Sequence, residues 1–524
     1  MHEYNQTNSR KDILPRLIDK NGKLDLRIKL IITNLMALFL FWGGWVFSFH
    51  FAIDDYEVFY NTSVRADFCI YDVYRLFYGL FLHLLNHFQI NIIKDQVIFG
   101  VLLIGIWAVC ISAVTLELLT YLKDGSEKWL LVNLGSLLLF ANVFVGEWFY
   151  FLHAYPSWLL AVVGAALGSI YISRGKKRLM IGLVFLILLA GSYQAGIPIY
   201  VFIVMSLIFI KNKGRICKNS LKQILSATVA LVLSVGVNSV LVHIYRLYKG
   251  LGTSSRVGFS VQTMVSSLKQ FIGFQKEIWV RCYGLLPNGV LLAFLIAFLG
   301  LLMCALKKER IKKNTVSFVI IVLLSGQITL YLIASVQTTF WNPVRVMVPL
   351  FGVFSCSIWL LAYLIDAENS QNGKTHHIVG VILCICLLLT NFIGTQKELT
   401  DVMVANSAEH LYADHIHQQI KKYESDTGCI ITNVGFIRDK SVTWKFYPLL
   451  STASYWGEMA EKAMVQEWCN IQTLNYYTSR NFVKIDPQQI PADIRQYVEG
   501  IDWTEENLDE QLIFRESNLF IALY

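Results

Sequence analysis

The chain has 524 residues, of which 55% are apolar and only 16% are charged, and its mean hydropathy is +0.50. Soluble proteins average about 25% charged residues, so this composition excludes an ordinary soluble protein and indicates a multispanning membrane protein. The formal charge of +8 does not indicate nucleic-acid binding. The Lys and Arg residues cluster in short links between apolar runs, as the positive-inside rule expects.

The N-terminal segment, residues 1–29, is polar and basic. It is too long and too polar for the first part of a signal peptide, and no small-residue cleavage pattern follows it. The apolar run Leu30–Phe49 is long enough to cross a bilayer, so we predict that it is a retained transmembrane helix.

Ten further apolar runs, counted with the first span, predict about eleven transmembrane helices in a domain covering residues 30–395. These runs cover residues 96–121, 129–150, 156–173, 179–193, 196–210, 223–245, 284–306, 315–336, 344–366 and 377–395. The two halves of 179–210 are short, so they are predicted as a tight hairpin or as tilted, partly embedded helices.

The charges of the links predict the orientation of the chain. Alternate links carry clusters of Lys and Arg, whereas the links at 151–155, 194–195 and 337–343 carry none. The positive-inside rule therefore places the N-terminus in the cytoplasm. It places the long loops 54–95 and 246–283, and everything after residue 396, on the outer side.

Asp54 and Asp55 follow the first apolar run directly. Carboxylates at that depth are costly unless they face water or a substrate cavity, so both are candidate functional residues. The alternative is that they mark the start of a loop and cap the next helix. Adjacent carboxylates would titrate as a coupled pair, and partial burial favours a raised pKa in one of them.

The two long outer loops each contain a predicted helix. In 54–95, apolar residues recur at helical spacing over Tyr71–Phe88, with Arg75, His83 and His87 among them, which predicts an amphipathic helix in the membrane interface. The two histidines lack the glutamate of a metalloprotease motif between them, so we predict no metal site there. The loop 246–283 begins with a Gly/Ser-rich stretch that leads to a second surface helix from Val261 to Ile272.

From about Thr395 the sequence becomes polar, and residues 396–524 are predicted as a small α/β domain on the outer face. We expect a helix over Ala405–Tyr423 and strands over Cys429–Val434 and Leu512–Leu523. Cys429 and Cys469 lie in this domain, and their spacing does not establish whether they are bridged.

Three motifs carry a family resemblance: Asp54-Asp55-Tyr56, Asn142-Val-Phe-Val-Gly-Glu147 and Ser192-Tyr-Gln-Ala-Gly-Ile-Pro198. With one span followed by an acidic pair and an interfacial helix, the chain resembles the polytopic C-type glycosyltransferases. More narrowly, it resembles the bacterial type II serotype-converting glucosyltransferase family. The resemblance covers about residues 30–210 by motif and the later spans by topology. Tyr74-Arg75 stands where the family usually has Gly-Arg, and the C-terminal domain has no motif that matches.

The resemblance implies an integral-membrane enzyme that moves a hexose, most simply glucose, from undecaprenyl phosphate to a surface polysaccharide such as O-antigen. The reaction would take place on the outer face of the bacterial plasma membrane, with a small flippase as a further partner. The resemblance implies a single displacement with inversion, with Asp54 as base and Asp55 orienting it or the acceptor. No cofactor is implied with certainty, although some relatives hold a divalent cation at the acidic pair.

Six further residues are candidates for substrate binding, and four of them have a structural alternative. Glu147 would contact sugar hydroxyls, or would be a helix-end carboxylate in water. Tyr193 and Gln194 would line the substrate site as a distorted helix end, or would form a structural turn. Arg345 would clamp phosphate through a bidentate guanidinium, or would anchor its span in the interface. Arg75 and Arg281 complete the set.

The alternative function is that of a lipid-linked oligosaccharide flippase or a sugar transporter. Transporters usually show internal repeats and broken helices at the bilayer midplane. The sequence has no evident repeat, and its notable acids lie at the ends of spans. This pattern favours an enzyme.

Overall fold

The computed structural model describes residues 25–524 except 176–177, 253, 255, 257–259, 309–312, 336–342, 368–370, 440–441, 444–445, 447–449, 451–458 and 504–508. Most of the predicted N-terminal segment, part of the 246–283 loop and most of the 337–343 link lie outside the described residues.

The first part of the chain is helical throughout. Its helices are α1 Leu26–Phe47, α2 Ile53–Tyr71, α3 Leu76–His87, α4 Gln96–Leu119, α5 Gly125–Leu138, α6 Gly146–Tyr150, α7 Tyr155–Arg174, α8 Leu179–Ala190, α9 Ile197–Lys211, α10 Lys218–Lys249, α11 Val261–Lys276, α12 Val290–Lys308, α13 Lys313–Ser335, α14 Val344–Met347, α15 Gly352–Ala367 and α16 Gln371–Thr427. The prediction of a mostly helical fold is confirmed.

In the described part of the chain, eight helices are long and apolar enough to cross a membrane. A bent pair of helices, Glu127–Leu138 with Val143–Tyr150, forms a ninth candidate, and Leu179–Ala190 and Val290–Leu306 are shorter apolar helices. These elements occupy the positions of the eleven predicted runs. The number that crosses the bilayer stays a prediction.

The run predicted as one span over 129–150 is broken, with a bend of 44° between its halves. Asn142 causes the break: its backbone is extended, its amide donates to the carbonyls of Leu138 and Leu139, and its side-chain oxygen accepts from Phe144 N. The amide oxygen of Asn391 in α16 accepts from Val143 N at 2.9 Å. The short helix α6, which carries Glu147, is therefore aimed separately from α5.

The helix predicted over Tyr71–Phe88 is present as α3 but begins later, and it forms the second half of a helical hairpin; its place in the membrane interface stays a prediction. The helix α2 occupies the region expected to be loop, and α3 begins only at Leu76 because Tyr74 adopts a φ of 57°. Gly79 allows the two helices to touch, since a Cβ there would lie 2.6 Å from the carbonyl oxygen of Ala66. The hairpin fixes the residues that follow the first span.

The helix predicted over Ala405–Tyr423 is the end of α16, which continues without a break from the predicted last span. Its 57 residues extend about 85 Å at 1.5 Å per residue. The helix ends at Thr427 because Gly428 adopts a φ of 73°. The membrane part and the C-terminal region therefore share one rigid element.

The C-terminal region adds a small sheet and two short helices. They are β1 Asn433–Arg438, α17 Asn470–Thr478, β2 Val483–Lys484, α18 Ala492–Gly500, β3 Leu512–Arg515 and β4 Asn518–Leu523. The strand order is β2-β1-β4-β3, with β1 parallel to both neighbours and β3 antiparallel to β4.

Two predictions for this region differ from the structure. The strand expected over Cys429–Val434 begins at Asn433, and Leu512–Leu523 forms a hairpin because the chain turns at Glu516, whose φ is 51°. Cys429 is exposed, Cys469 is buried, and both are free thiols.

Candidate active site

Asp54 lies in the first turn of α2, a helix outside the candidate membrane spans. Its side chain is 16% exposed. One carboxylate oxygen forms an ion pair with Arg65, and the other accepts from the indole N–H of Trp468 at 3.0 Å. Burial alone raises the pKa of Asp54, but nearby positive charge, first of all that of Arg65, lowers it by more, so the pKa lies below its usual range. Asp54 is therefore an ionised carboxylate that reaches water.

Asp55 has a different environment, because its side chain is fully buried. Its oxygens accept from the backbone N–H groups of Ala52 (2.9 Å), Leu152 (3.2 Å) and His153 (3.0 Å). The Nδ1–H of His153 donates to the same carboxylate at 2.6 Å. These bonds cap α2 and join it to the loop after α6. The two adjacent carboxylates therefore have different surroundings, and Asp55 holds backbone rather than facing solvent.

A short hydrogen-bonded chain links the two aspartates indirectly. Since Nδ1 of His153 donates to Asp55, its Nε2 is free to accept, and Arg65 lies 3.4 Å from that nitrogen. Arg65 in turn pairs with Asp54. Asp55 thereby orients His153, which supports the arginine that holds Asp54.

Glu147 and Arg345 are brought together by the structure. Glu147 is fully buried and accepts from the guanidinium of Arg345 at 3.0 Å as well as from its backbone N–H. The guanidinium also lies over the ring of Phe151, 4.7 Å from its centroid. The indole of Trp148 donates to the carbonyl of Arg345 at 2.9 Å. The positive charge of Arg345 is therefore largely balanced by Glu147.

Arg75 has no such partner. Its guanidinium lies 4.5 Å from the ring centroid of Tyr193, and no carboxylate forms an ion pair with it among the residues that the structure describes. Burial lowers the pKa of Arg75, as does the nearby charge of Arg345. Arg345 acts electrostatically on both Arg75 and Asp54, which places Arg75 in the same region, and in the described chain no carboxylate balances its charge.

Tyr193 and Gln194 fix the position of Arg75. The Tyr193 ring packs edge-on against Trp158 at 4.3 Å and beneath the Arg75 guanidinium. The Gln194 amide donates to the carbonyls of Tyr74 (2.7 Å), Val73 (3.3 Å) and Ala190. Both residues thus belong to the site region, and the amide of Gln194 is engaged with the backbone of the loop that carries Arg75.

The remaining predicted residues lie apart from Asp54. Arg281 is 59% exposed and pairs with Glu277 one turn earlier, at 3.2 Å. His83 bonds Asp67 at 2.8 Å, and Tyr245 donates to the same carboxylate. In the described structure, no contact joins these groups to the Asp54 cluster.

The acidic pair does not fit a divalent cation. The hydrogen bonds that Asp55 accepts come from N–H donors, and Asp54 is held by a guanidinium and an indole. Hard cations prefer several oxygen ligands in one place. Within the described residues, no group of three His, Cys, Asp or Glu side chains could hold a metal ion.

The C-terminal region packs directly on α2. Tyr477 of α17 bonds the hydroxyl of Tyr56 at 2.7 Å, and Tyr476 packs against Phe51 with ring centroids 4.6 Å apart. Asn406 of α16 bonds both the N–H and the carbonyl of Phe51. Trp468 then reaches Asp54 from the start of α17.

Sequence reasoning missed Arg65, His153 and Trp468. Arg65 follows Asp54 by eleven residues, a rise of about 16 Å along a straight helix, and the two meet because α2 departs from helical geometry at Asn61; nothing in the sequence indicated this kink. His153 had a weak signal, as the single basic-type side chain in the 151–155 link. Trp468 had none, because it lies 414 residues from its partner.

The comparisons with known proteins support the family resemblance. A family model described as Glucosyl transferase GtrII matches residues 43–362, which is more than half of the chain. The site residues named above lie within this match, except Asn406, Trp468, Tyr476 and Tyr477. No curated protein and no solved structure matches the chain. The C-terminal region lies beyond the matched residues.

Proposed function

Because the chain belongs to the GtrII glucosyl transferase family, we propose that it transfers glucose from a polyprenyl-phosphate donor to a cell-surface polysaccharide. We place the reaction on the outer face of the bacterial plasma membrane, with Asp54 as the base. The family membership supports a glucosyltransferase and the apolar helices support a membrane protein. The donor, the acceptor, the orientation and the role of Asp54 are our proposal.

The observation that carries the proposal is the environment of Asp54. It is the member of the acidic pair that reaches solvent, and Arg65 and Trp468 hold it as a carboxylate. Each carboxylate oxygen can accept in more than one direction, so an acceptor hydroxyl can bond to Asp54 while these two donors remain. A positioned carboxylate in this state is suited to remove a proton.

The proposed reaction is a single displacement. The acceptor oxygen attacks the anomeric carbon as its proton passes to Asp54, and the bond from that carbon to the phosphate oxygen breaks. The polyprenyl phosphate leaves as an anion and needs no general acid. Since the acceptor enters opposite the leaving group, the configuration at the anomeric carbon inverts.

The departing phosphate requires cations, and the arginines near Asp54 can supply them. Arg75 is the first candidate because no carboxylate pairs with it in the described chain. Arg345 is the second. It already bonds Glu147 at 3.0 Å, so binding a phosphate would require it to share its five N–H donors between the two groups.

The test uses the purified full-length chain with polyprenyl-phosphate glucose, labelled in the sugar, and lipid-free surface polysaccharide. We expect labelled polysaccharide and free polyprenyl phosphate in equal amounts, and nuclear magnetic resonance of the product should give an inverted linkage. Movement of intact lipid-linked sugar across proteoliposomes without cleavage would instead indicate a flippase. Transfer from a nucleotide sugar alone would contradict the proposed donor.

A further inference from the structure

We propose that Trp468 completes the active site from the C-terminal region, and that its indole ring is the platform on which the acceptor sugar lies. This inference rests on the proposed function. It assigns a role in acceptor binding to a region outside the residues 43–362 that the family model matches.

The first observation is the position of the indole. Its N–H donates to Asp54 at 3.0 Å, yet 46% of the residue is exposed. Most tryptophans in the site region, such as Trp148 and Trp158, are fully buried. The indole is therefore fixed by its N–H, while much of its aromatic face remains exposed. Such a face can pack against a ligand that is apolar on one side.

The second observation is that the residues following Trp468 are fixed by packing and hydrogen bonds. The next residue, Cys469, is fully buried, and its thiol donates to the carbonyl of Ala463 at 3.4 Å. The helix α17 that follows docks on α2 through Tyr476 and Tyr477. The ring is therefore placed by a packed interface and not by a free loop.

The chemistry of a pyranose matches this arrangement. One face of the ring presents C–H groups that pack on an aromatic surface, while the hydroxyls project from its edge. With the sugar on the indole, a hydroxyl at that edge can reach Asp54, whose oxygen already bonds the indole N–H. Trp468 thus acts as a positioning residue, setting the acceptor against the base.

Two substitutions separate the roles of the ring and of its N–H. W468A removes both, and we expect the KM for the acceptor polysaccharide to rise by at least about tenfold, as for an aromatic anchor in an interface. The KM for polyprenyl-phosphate glucose should stay within about twofold. W468F keeps an aromatic surface, so the acceptor KM should change little.

W468F also removes one donor to Asp54, so its pH profile gives a second readout. With less stabilisation of the carboxylate, the acid limb of kcat should move to higher pH. The matched control is Y497A, which removes an aromatic side chain that is 45% exposed on α18 and should change neither constant.

Binding of lipid-free surface polysaccharide without any donor, measured by calorimetry, tests the inference separately from the proposed donor. Weaker binding by W468A than by the parent and Y497A supports the platform even if polyprenyl-phosphate glucose proves inactive. Equal binding by all three overturns it. If W468A fails to fold, W468F decides: an unmoved acid limb with a parental melting temperature overturns the contact between Trp468 and Asp54.

Discussion

The two sides of the α2 N-terminus show how neighbouring, chemically identical residues acquire different properties. Asp54 is 16% exposed and bonds the side chains of Arg65 and Trp468. Asp55 is fully buried and receives three backbone N–H groups as well as His153. Side chains can move to admit a ligand, whereas backbone N–H groups in packed elements cannot. The environment of Asp54 is therefore compatible with a role in catalysis, whereas that of Asp55 indicates a structural role.

The largest expected effect is on the solvent-facing side. D54N keeps the size of the side chain but cannot take a proton, so kcat should fall about 100- to 10,000-fold, the usual contribution of a general base. The melting temperature should change little. D67N is the matched control, since it removes another partly exposed carboxylate of α2. Full transfer by folded D54N would contradict the assignment of Asp54 as the base.

On the buried side, D55N should destabilise the protein. An amide places an N–H donor against backbone N–H groups, leaving at least one buried donor without an acceptor, at a cost of about 1–3 kcal/mol for each such group. A fall in the melting temperature of the detergent-solubilised protein measures this. Transfer per folded molecule should fall less than in D54N. Parental stability in D55N would contradict the structural role.

Arg75 tests whether a positive charge without a carboxylate partner in the described chain binds the phosphate of the donor. R75Q should raise the KM for polyprenyl-phosphate glucose about 10- to 100-fold, because a hydrogen bond to a charged group contributes about 1.5–3 kcal/mol. R281Q is the control: its exposed pair with Glu277 contributes about 0.5 kcal/mol or less. Equal donor KM values in the two variants would remove Arg75 from the site.

The smallest effect concerns pH. The charge of Arg65 opposes the effect of burial and lowers the pKa of Asp54, and activity is lost as pH falls through that pKa. R65Q removes the charge, so the pKa should rise and the acid limb of kcat should move to higher pH. K94Q, which alters an exposed lysine in the loop between α3 and α4, should leave the acid limb of kcat unchanged. An unmoved limb in R65Q would mean that another group controls it.

The features that sequence predicted well are those set by local composition. Apolar runs long enough to cross a bilayer identify spans by themselves, as for Gln96–Leu119. The break at Asn142 could not be read from apolar length, because Asn142 stands inside a run long enough to span, and a bond from Val143 N to Asn391, 248 residues later, helps to hold it. The helix α2 was missed because its polar and apolar residues are mixed, with no continuous apolar run.

The site residues also differ in whether local sequence or distant contacts determine their environment. Asp54 could be singled out because an acid at the end of a span is unusual. That Asp55 would be sealed in protein depends on Leu152 and His153, which approach it only in the folded chain. The ion pair of Glu147 with Arg345 joins residues 198 positions apart, so sequence indicated both residues but not that they neutralise each other.

We predict that the Asp54 position opens to water on the outer side of the membrane while the Asp55 position is closed. This prediction can be tested most directly by placing a cysteine at each position in a C429S background, which removes the exposed thiol of the C-terminal region. Intact cells are then treated with a membrane-impermeant maleimide. We predict that D54C is labelled at once and D55C only after denaturation. Labelling of D54C only after the membrane is permeabilised, or equal labelling at both positions, would contradict the account.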